Sequence, residues 1–304
     1  MTSVSLSQPQ VADDVGVGGS SPWETALRAL ARDRSAMLGL VVLGVIAVVA
    51  IVTPLIAPGD YCIAQPDIIR LKNIPPSAAH PLGTDKFSRD VLARLICGAR
   101  VSLAIAFLSV LVAATVGTIY GAIAGYVGGI ADSVLMRAVD ALLAIPRVLL
   151  LIAVATLWNP LGITGLVLVL GLTGWFGVSR LVRTLVASAR HDDFVAAARA
   201  LGAGDVRILV HHILPRVVSP VLVAGTLGIG NVIVIEAGLT YLGMGVQPPH
   251  ASWGSMFYDG IEYFPSVWWV CVFAGAALVV TVLAVNLVAD GLREALDARQ
   301  LPAR

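Results

Sequence analysis

The organisation of this chain follows from residues 183–215, which read RTLVASARHDDFVAAARALGAGDVRILVHHILP and form a polar island in an otherwise apolar second half. Asp192 can cap a short helix, because its carboxylate suits the free N–H groups of a first turn. Gly202 is expected to end that helix. Asp205 can start a second one, and Pro215 fits the first turn of the long apolar helix that follows. The pattern predicts two short helices joined by a glycine bend.

Composition separates the chain from soluble globular proteins. Hydrophobic residues make up 58% of the 304 residues and charged residues only 13%, and the mean hydropathy is +0.88. These values indicate a polytopic membrane protein. The net charge is +1, and without a long basic run no nucleic-acid partner is expected. The cysteines, Cys62, Cys97 and Cys271, lack metal-ligand spacing. A disulfide between Cys62 and Cys97 would require both to face an oxidising compartment.

The apolar stretches are long enough for six membrane-spanning helices. The predicted spans are 37–57, 101–127, 141–158, 163–178, 217–235 and 267–289. The second is rich in small residues and is expected to pack against protein. The third contains Pro146 and Arg147, and a proline in a span needs protein or water to satisfy the freed carbonyl. Arg147 either lines a pathway or snorkels to an interface.

These spans divide the chain into five regions. Residues 1–22 are expected to form a disordered cytoplasmic tail, and residues 23–57 an interfacial helix followed by the first transmembrane helix. Residues 58–100 are expected to form an extracytoplasmic loop. Residues 101–290 then form a core with five transmembrane helices, and residues 291–304 form a cytoplasmic tail. A short loop with Asp132 and Arg137 is expected between the second and third spans.

The charge distribution predicts that both termini are cytoplasmic. Arginines are concentrated in the polar island and the C-terminal tail, whereas residues 238–266 contain no lysine or arginine. The 58–100 region carries more basic than acidic residues, against this rule. We still expect it outside the cytoplasm, because its acids are interleaved and Phe87 and Val91 can belong to an amphipathic interfacial helix.

The polar island has the spacing of a known motif. Two alanines at 197–198, a glycine at 202 and the pair 214–215 resemble the EAA loop of ABC importer permeases, the cytoplasmic segment that docks into the motor ATPase. Ala196 stands where the family usually has glutamate, and His212 where the general pattern has isoleucine. Without a partner, the same pattern describes an amphipathic hairpin. The coupling residues that the resemblance implies are Asp193, Ala197, Ala198, Arg199, Gly202, Asp205, Arg207, Leu214 and Pro215.

A second motif occupies residues 236–260, which read EAGLTYLGMGVQPPHASWGSMFYDG and cannot form one continuous helix. The run resembles the C-type permease subunit of the oligopeptide, dipeptide and nickel importers, with Thr240 and Tyr241 where Ser and Phe are commoner. Residues 80–100 resemble a segment of the dipeptide and oligopeptide permeases. Glu236 either bonds locally or faces a pathway. The residues of this extracytoplasmic signature loop are Glu236, Gly243, Gly245, Gln247, Pro248, Pro249, Trp253 and Gly254.

Several kinds of chemistry lack their sequence signals. Ion-driven carriers and channels need ionisable or polar groups at membrane depth, and Arg147 is nearly the only one in the spans. The chain has no glycine-rich phosphate loop ending in Lys-Ser or Lys-Thr, and no HExxH or Gly-x-Ser-x-Gly motif. We therefore expect neither an enzyme nor a cofactor or metal in this chain. ATP and Mg²⁺ are expected to bind partner ATPases.

The predicted fold class is an all-α membrane protein, a polytopic bundle of six transmembrane helices with a cytoplasmic coupling-helix loop. The resemblance implies a C-type subunit of an ABC importer for short peptides in the cell membrane, with residues 101–290 as its permease core. It also implies a homologous second permease subunit, two ABC ATPase subunits, an extracytoplasmic solute-binding protein and surrounding lipid. Candidate pathway-lining residues are Pro146, Arg147 and Asn231. The alternatives are an ATP-independent carrier or channel, a membrane scaffold, and import of nickel or another non-peptide solute by the same machinery.

Overall fold

The computed structural model describes residues 22–56, 71–158 and 161–297, and the regular structure within them is helical. The helices are α1 (Pro22–Arg32), α2 (Arg34–Ile56), α3 (Val91–Val127), α4 (Gly129–Leu143), α5 (Arg147–Leu157), α6 (Ile163–Ala189), α7 (Asp193–Ala200), α8 (Asp205–Ile208), α9 (Leu214–Tyr241), α10 (Trp253–Glu262) and α11 (Trp268–Asp297). The all-α prediction is confirmed. Most of the predicted N-terminal tail, Cys62 and the last residues of the C-terminal tail lie outside the described residues.

Five helices in this part of the chain are long and apolar enough to cross a membrane. They are Arg34–Thr53, Val91–Val127, Ile163–Ala189, Asp205–Tyr241 and Trp268–Asp297. The third predicted span, 141–158, falls on a bent pair of helices, because α4 and α5 meet at 80°. Pro146 lacks an N–H group and disfavours a helical conformation in the residue before it, so the helix stops and restarts in a new direction. The count of six holds when the bent pair is taken as one span.

Several helices continue beyond the apolar stretches that predict the spans. α3 begins at Val91 rather than Val101, since the Asp90 carboxylate accepts a hydrogen bond from the Ala93 N–H at 2.9 Å and caps it. α11 continues through the predicted tail as far as Asp297. The regions predicted as loop and tail therefore contribute whole helical turns to the bundle.

The predicted loop around Asp132 and Arg137 is also wrong, because both residues lie in α4. Gly128, with a φ of +68°, makes the turn out of α3. The Asp132 carboxylate then accepts a hydrogen bond from Arg183 Nε at 2.9 Å. This contact fixes α4 to the last part of α6.

α3 and α6 pack closely through a row of glycines, which confirms the predicted protein-facing role of the second span. Gly117, Gly121 and Gly125 lie on the face of α3 that meets α6. A Cβ atom on Gly117 would lie 2.7 Å from Val178 Cβ, and one on Gly125 would lie 2.6 Å from the Arg183 carbonyl oxygen. Small residues allow such backbone approach in lipid, where helix association depends on packing.

Buried apolar side chains form separate clusters along the bundle. The central cluster includes Leu170. A second, which includes Ile213, lies at the end that carries residues 190–216. A third, which includes Met256, lies at the opposite end, where α10 and α11 meet the start of α3. At each end of the bundle, a surface segment therefore packs against a cluster of buried apolar side chains.

Candidate functional site

The loop of residues 190–216 is anchored to the bundle by one face of α7. Val195 and Ala198 are buried in the cluster at this end. Asp192 occupies the predicted N-cap position of α7, but its side chain makes no capping hydrogen bond. Its carboxylate instead pairs with Arg216 Nη1 at 3.6 Å, and the Arg216 guanidinium lies 3.7 Å from the centre of the Phe194 ring. These contacts hold α7 against the start of α9.

Gly202 makes the predicted bend after α7. Its φ of +85° is rarely adopted by other residues. The Gly202 N–H donates to the Arg199 carbonyl at 3.0 Å, and the Ala203 N–H donates to the Ala198 carbonyl at 3.0 Å. The last carbonyls of α7 are thus satisfied within the loop.

The second short helix is not separate, which corrects the sequence prediction. α8 passes through a π-helical turn, Leu209–Ile213, into α9 without a break. Pro215 has no N–H to donate, and the Leu214 N–H bonds the Leu209 carbonyl five residues back. One continuous helix, Asp205–Tyr241, therefore joins the loop to the bundle.

The outer face of the loop is exposed and partly apolar. Leu201 is 89% exposed and Val206 is 78% exposed. Both side chains are free of the packing that buries Val195 and Ala198. The other predicted coupling residues on or near this face are Asp193, Ala197, Arg199, Asp205, Arg207 and Pro215, all exposed, and Leu214, which is half-buried. The loop therefore has a buried anchoring side and an open side.

Polar contacts fasten the loop to the end of α3. The Tyr126 hydroxyl donates to Asp205 Oδ1 at 2.7 Å, and Arg199 Nη2 lies 3.5 Å from the same oxygen. Arg190 Nη1 donates to the Val127 carbonyl at 3.1 Å. The loop is thus tied to α3 as well as to the helices that flank it.

Glu236 lies near the end of α9, at the opposite end of the bundle, and is 1% exposed. Its Oε1 accepts hydrogen bonds from Thr240 Oγ1 and Ser252 Oγ, each at 2.9 Å. Oε2 has no hydrogen-bond partner among the described residues. Glu236 therefore bonds locally, joining α9 to the residue that precedes α10.

Trp253 and Gly254 pack the start of α10 against its neighbours. The Trp253 N–H donates to Ser102 Oγ at 3.1 Å, and its indole Nε1 donates to the Leu95 carbonyl at 2.9 Å. A Cβ atom on Gly254 would lie 2.7 Å from Ala237 Cα. The signature residues here fix α10 between α3 and α9.

The remaining signature residues turn the chain from α9 to α10. Gly243 has a φ of +78°, and Gln247 Nε2 donates to its carbonyl at 3.1 Å. Gly245 lies against the Thr240 side chain, with no room for a Cβ atom. The peptide bond between Pro248 and Pro249 is cis. A folded turn results, and its residues are mostly exposed.

Sequence reasoning missed a buried charge network beside this turn. Arg94, 3% exposed, donates from Nη1 to Asp85 Oδ2 at 2.7 Å and from Nη2 to Asp259 Oδ2 at 3.0 Å. Arg89 Nε also donates to Asp85, at 2.6 Å. The network joins the segment before α3 to α10, although these residues are far apart in sequence.

Two further pairs border the network. Lys86 Nζ donates to Glu262 Oε2 at 2.6 Å, and this hydrogen bond holds the pKa of Glu262 below its usual range. His80 Nδ1 lies 2.9 Å from Asp90 Oδ2. Within the described ranges, no group of His, Cys, Asp and Glu side chains could hold a metal ion. Both pairs are structural contacts of the segment that precedes α3.

Arg147 and Asn231 line the same space inside the bundle. Both line two neighbouring cavities, of about 210 and 330 Å³, and Pro146 lines the larger one. Arg147 Nη2 donates to the Leu170 carbonyl at 3.0 Å, and Nε lies 3.5 Å from Thr173 Oγ1. We call this space the mid-bundle cleft. It brings together the three residues that the sequence gives as candidate pathway residues.

Two protein families and several known proteins match this chain. Residues 117–301 match the family described as binding-protein-dependent transport system inner membrane component, and residues 21–76 match the N-terminal TM domain of oligopeptide transport permease C. The chain is 38% identical over 279 residues to the dipeptide transport system permease protein DppC of Alkalihalophilus pseudofirmus, covering 92% of this chain and 90% of the relative. It is 36% identical over 289 residues to DppC of Bacillus subtilis, covering 95% and 89%. It is 34% identical over 291 residues to the oligopeptide transport system permease protein OppC of Bacillus subtilis, covering 95% and 93%.

Proposed function

The chain belongs to the family of binding-protein-dependent transport system inner membrane components, and on that premise we propose that it is half of the translocation pathway of an ABC importer for short peptides. It is a multi-pass inner-membrane protein and the permease subunit of a transporter complex, not itself an enzyme. The proposed substrate class follows from relatives that are named for dipeptide and oligopeptide transport.

The observation that carries the proposal is the two-sided loop of residues 190–216. Its inner face is buried in the bundle, and its outer face exposes Leu201 and Val206. An ATPase that closes on binding ATP can grip the outer face and move the loop. Because the helix from Asp205 to Tyr241 is continuous, that movement reaches Asn231 in the mid-bundle cleft. The ATPase would thus act on the loop, and the helix would transmit the movement to the cleft.

Energy is proposed to come from two ABC ATPase subunits that hold ATP and Mg²⁺. A homologous second permease subunit would complete the pathway, and an extracytoplasmic solute-binding protein would deliver the peptide. The signature loop and the charge network around Arg94 lie at the end of the bundle opposite the 190–216 loop. We propose that the solute-binding protein delivers the peptide to that end of the bundle.

Two observations support cytoplasmic termini. Cys97, at the start of α3, is disulfide-bonded, and stable disulfides belong to oxidising compartments. That end of the bundle is therefore assigned to the outside, and the 190–216 loop to the cytoplasm. Gly291 of α11 packs against Ala36 near the start of α2, at the same end as the loop. α2 therefore begins, and α11 ends, on the proposed cytoplasmic side.

Uptake in cells tests the proposal. A strain lacking this chain should lose import of radiolabelled Ala-Phe, and the wild-type gene should restore it. Unlabelled peptides should compete with the label, whereas nickel should not. Peptide uptake that is unchanged by the deletion, in a strain without other peptide importers, would overturn the proposal.

A further inference from the structure

Arg147 lies at mid-depth in the bundle. It contacts Leu170 and Thr173, which are near the middle of α6. The cleft beside it is also lined by Ser109, near the middle of α3, and by Asn231 on α9. An arginine side chain here lies beside the middle parts of α3 and α6 rather than at a helix end, where snorkelling would bring its charge to water. Its guanidinium therefore faces the cleft for a reason other than access to lipid headgroups.

The guanidinium of Arg147 has no acidic partner among the described residues, unlike neighbouring arginines. Arg183 pairs with Asp132, and Arg180 Nε lies 3.8 Å from Asp140 Oδ1. The contacts of Arg147 are instead a backbone carbonyl and a hydroxyl. A guanidinium carries more N–H donors than these contacts use, and an arginine held away from water normally has a counter-charge.

The surrounding residues leave space for a ligand beside this charge. A Cβ atom on Gly174 would lie 3.2 Å from Arg147 Nη2 and 3.3 Å from Ala113 Cβ, so the absence of a side chain there keeps the guanidinium accessible. Gly177 and Gly228 line the same cleft. The amide of Asn231, which lines the same cleft, offers a further donor. Apart from these polar groups, the lining is largely apolar.

We propose that Arg147, assisted by Asn231, is a binding site for a carboxylate of the peptide as it passes through the cleft. The inference rests on the proposed function. A carboxylate matches the guanidinium because the two form parallel charge-assisted hydrogen bonds, which are strong where water is scarce. The carboxylate can be the C-terminal group, present in every unblocked peptide, or an acidic side chain. Transient pairing offsets the unfavourable burial of both charges during passage.

The test compares three dipeptides in the complemented deletion strain: Ala-Ala, Ala-Glu and Ala-Lys. If the C-terminal carboxylate binds, Arg147→Gln lowers uptake of all three by about tenfold. If the acidic side chain binds, only Ala-Glu uptake falls by that amount. Arg147→Glu should impair Ala-Lys least, since its side chain offers a positive partner. A purely structural role for Arg147 would not produce this order among the peptides.

Arg180→Gln is the matched control. It removes an exposed arginine of the same helix bundle outside the cleft, and the ratios among the three peptides should stay at wild-type values. Membrane abundance is measured for every variant with an epitope tag. If Arg147→Gln reaches wild-type abundance and imports all three peptides within about twofold of wild type, the inference is wrong.

If Arg147→Gln fails to insert into the membrane, a second variant tests the inference. Asn231→Asp keeps the size of the side chain and places a carboxylate in the cleft, where it competes for the guanidinium. Uptake of Ala-Ala should fall by about tenfold, and wild-type uptake would contradict the inference. Failure of the wild-type gene to restore any peptide uptake would instead reject the proposed function itself.

Discussion

Arg94 and Asp85 form a buried ion pair in which Nη1 and Oδ2 lie 2.7 Å apart and the side chains are 3% and 2% exposed. The same guanidinium reaches Asp259 on α10 at 3.0 Å. The pair therefore joins three segments, the loop before α3, α3 itself and α10. Together with Trp253, it holds the signature loop in one position relative to the bundle.

Loss of Arg94 should destabilise the chain more than loss of an exposed arginine. Arg94→Gln removes the most deeply buried cation of the network and leaves Arg89 as the remaining arginine shared by Asp85 and Asp259, at a cost of about 3 kcal/mol for a broken buried pair. Thermal unfolding of the purified protein in detergent measures the difference. Arg100→Gln, an exposed position on the same helix, is the control and should shift the melting temperature little. Equal shifts for the two variants would show that the network contributes no more than surface charge.

The ion pair between Lys86 and Glu262 should make stability depend on pH. The hydrogen bond from Lys86 lowers the pKa of Glu262 in the folded chain below its ordinary value of 4.5. Because the folded pKa is the lower one, the stabilisation is present above the unfolded pKa and is lost as pH falls through the folded pKa. The melting temperature of wild type should exceed that of Glu262→Gln at pH 7, and the gap should close as pH falls through the lowered pKa of Glu262. A gap that stays constant on acidification would contradict this account.

Packing between α3 and α6 should depend on individual glycines. Gly125→Ala places a Cβ atom 2.6 Å from the Arg183 carbonyl oxygen, so the helices must separate, at a cost of about 1–3 kcal/mol. Gly44→Ala is a matched control, since nothing lies within 4 Å of the added atom. Melting temperatures in detergent should fall for the first variant and stay level or rise for the second. The reverse order would refute the close approach of the two helices.

Leu201 should be required for assembly with the ATPases. Leu201→Asp puts a charge in the middle of the proposed docking face, and co-purification of ATPase subunits should fall at least about tenfold. The position is 89% exposed, so insertion and folding of the chain itself should be unaffected. Leu201→Met, which conserves size and polarity, should behave as wild type. Retention of the ATPases by Leu201→Asp would remove this residue from the docking face.

Local signals in the sequence predicted most of the fold. Long apolar runs gave the spans, Gly202 gave the bend in the loop, and Pro146 gave the break between α4 and α5. These features depend on hydropathy and backbone sterics, which neighbouring residues determine. The continuity of α8 with α9 was missed because it depends on a π-helical turn just before Pro215, and no local pattern specifies that turn.

Long-range pairs could not be predicted in the same way. Arg94 pairs with Asp259, 165 positions away in the chain, and Asp132 pairs with Arg183 across two helices. One signal was available, since Arg94 lies between Val91 and Gly98 at helical spacing on a buried face. A charge on such a face requires a partner. The sequence alone does not say which acid supplies it.

Contact between the 190–216 loop and an ATPase is the central claim, and site-specific photo-crosslinking tests it most directly. A photoreactive amino acid placed at Leu201 should label an ATP-binding subunit in membranes of the native host. The same probe at Tyr241, at the other end of the bundle, should not label that subunit. Labelling of the ATPase from Tyr241, or of no ATP-binding protein from Leu201 in an assembled and active importer, would contradict the account.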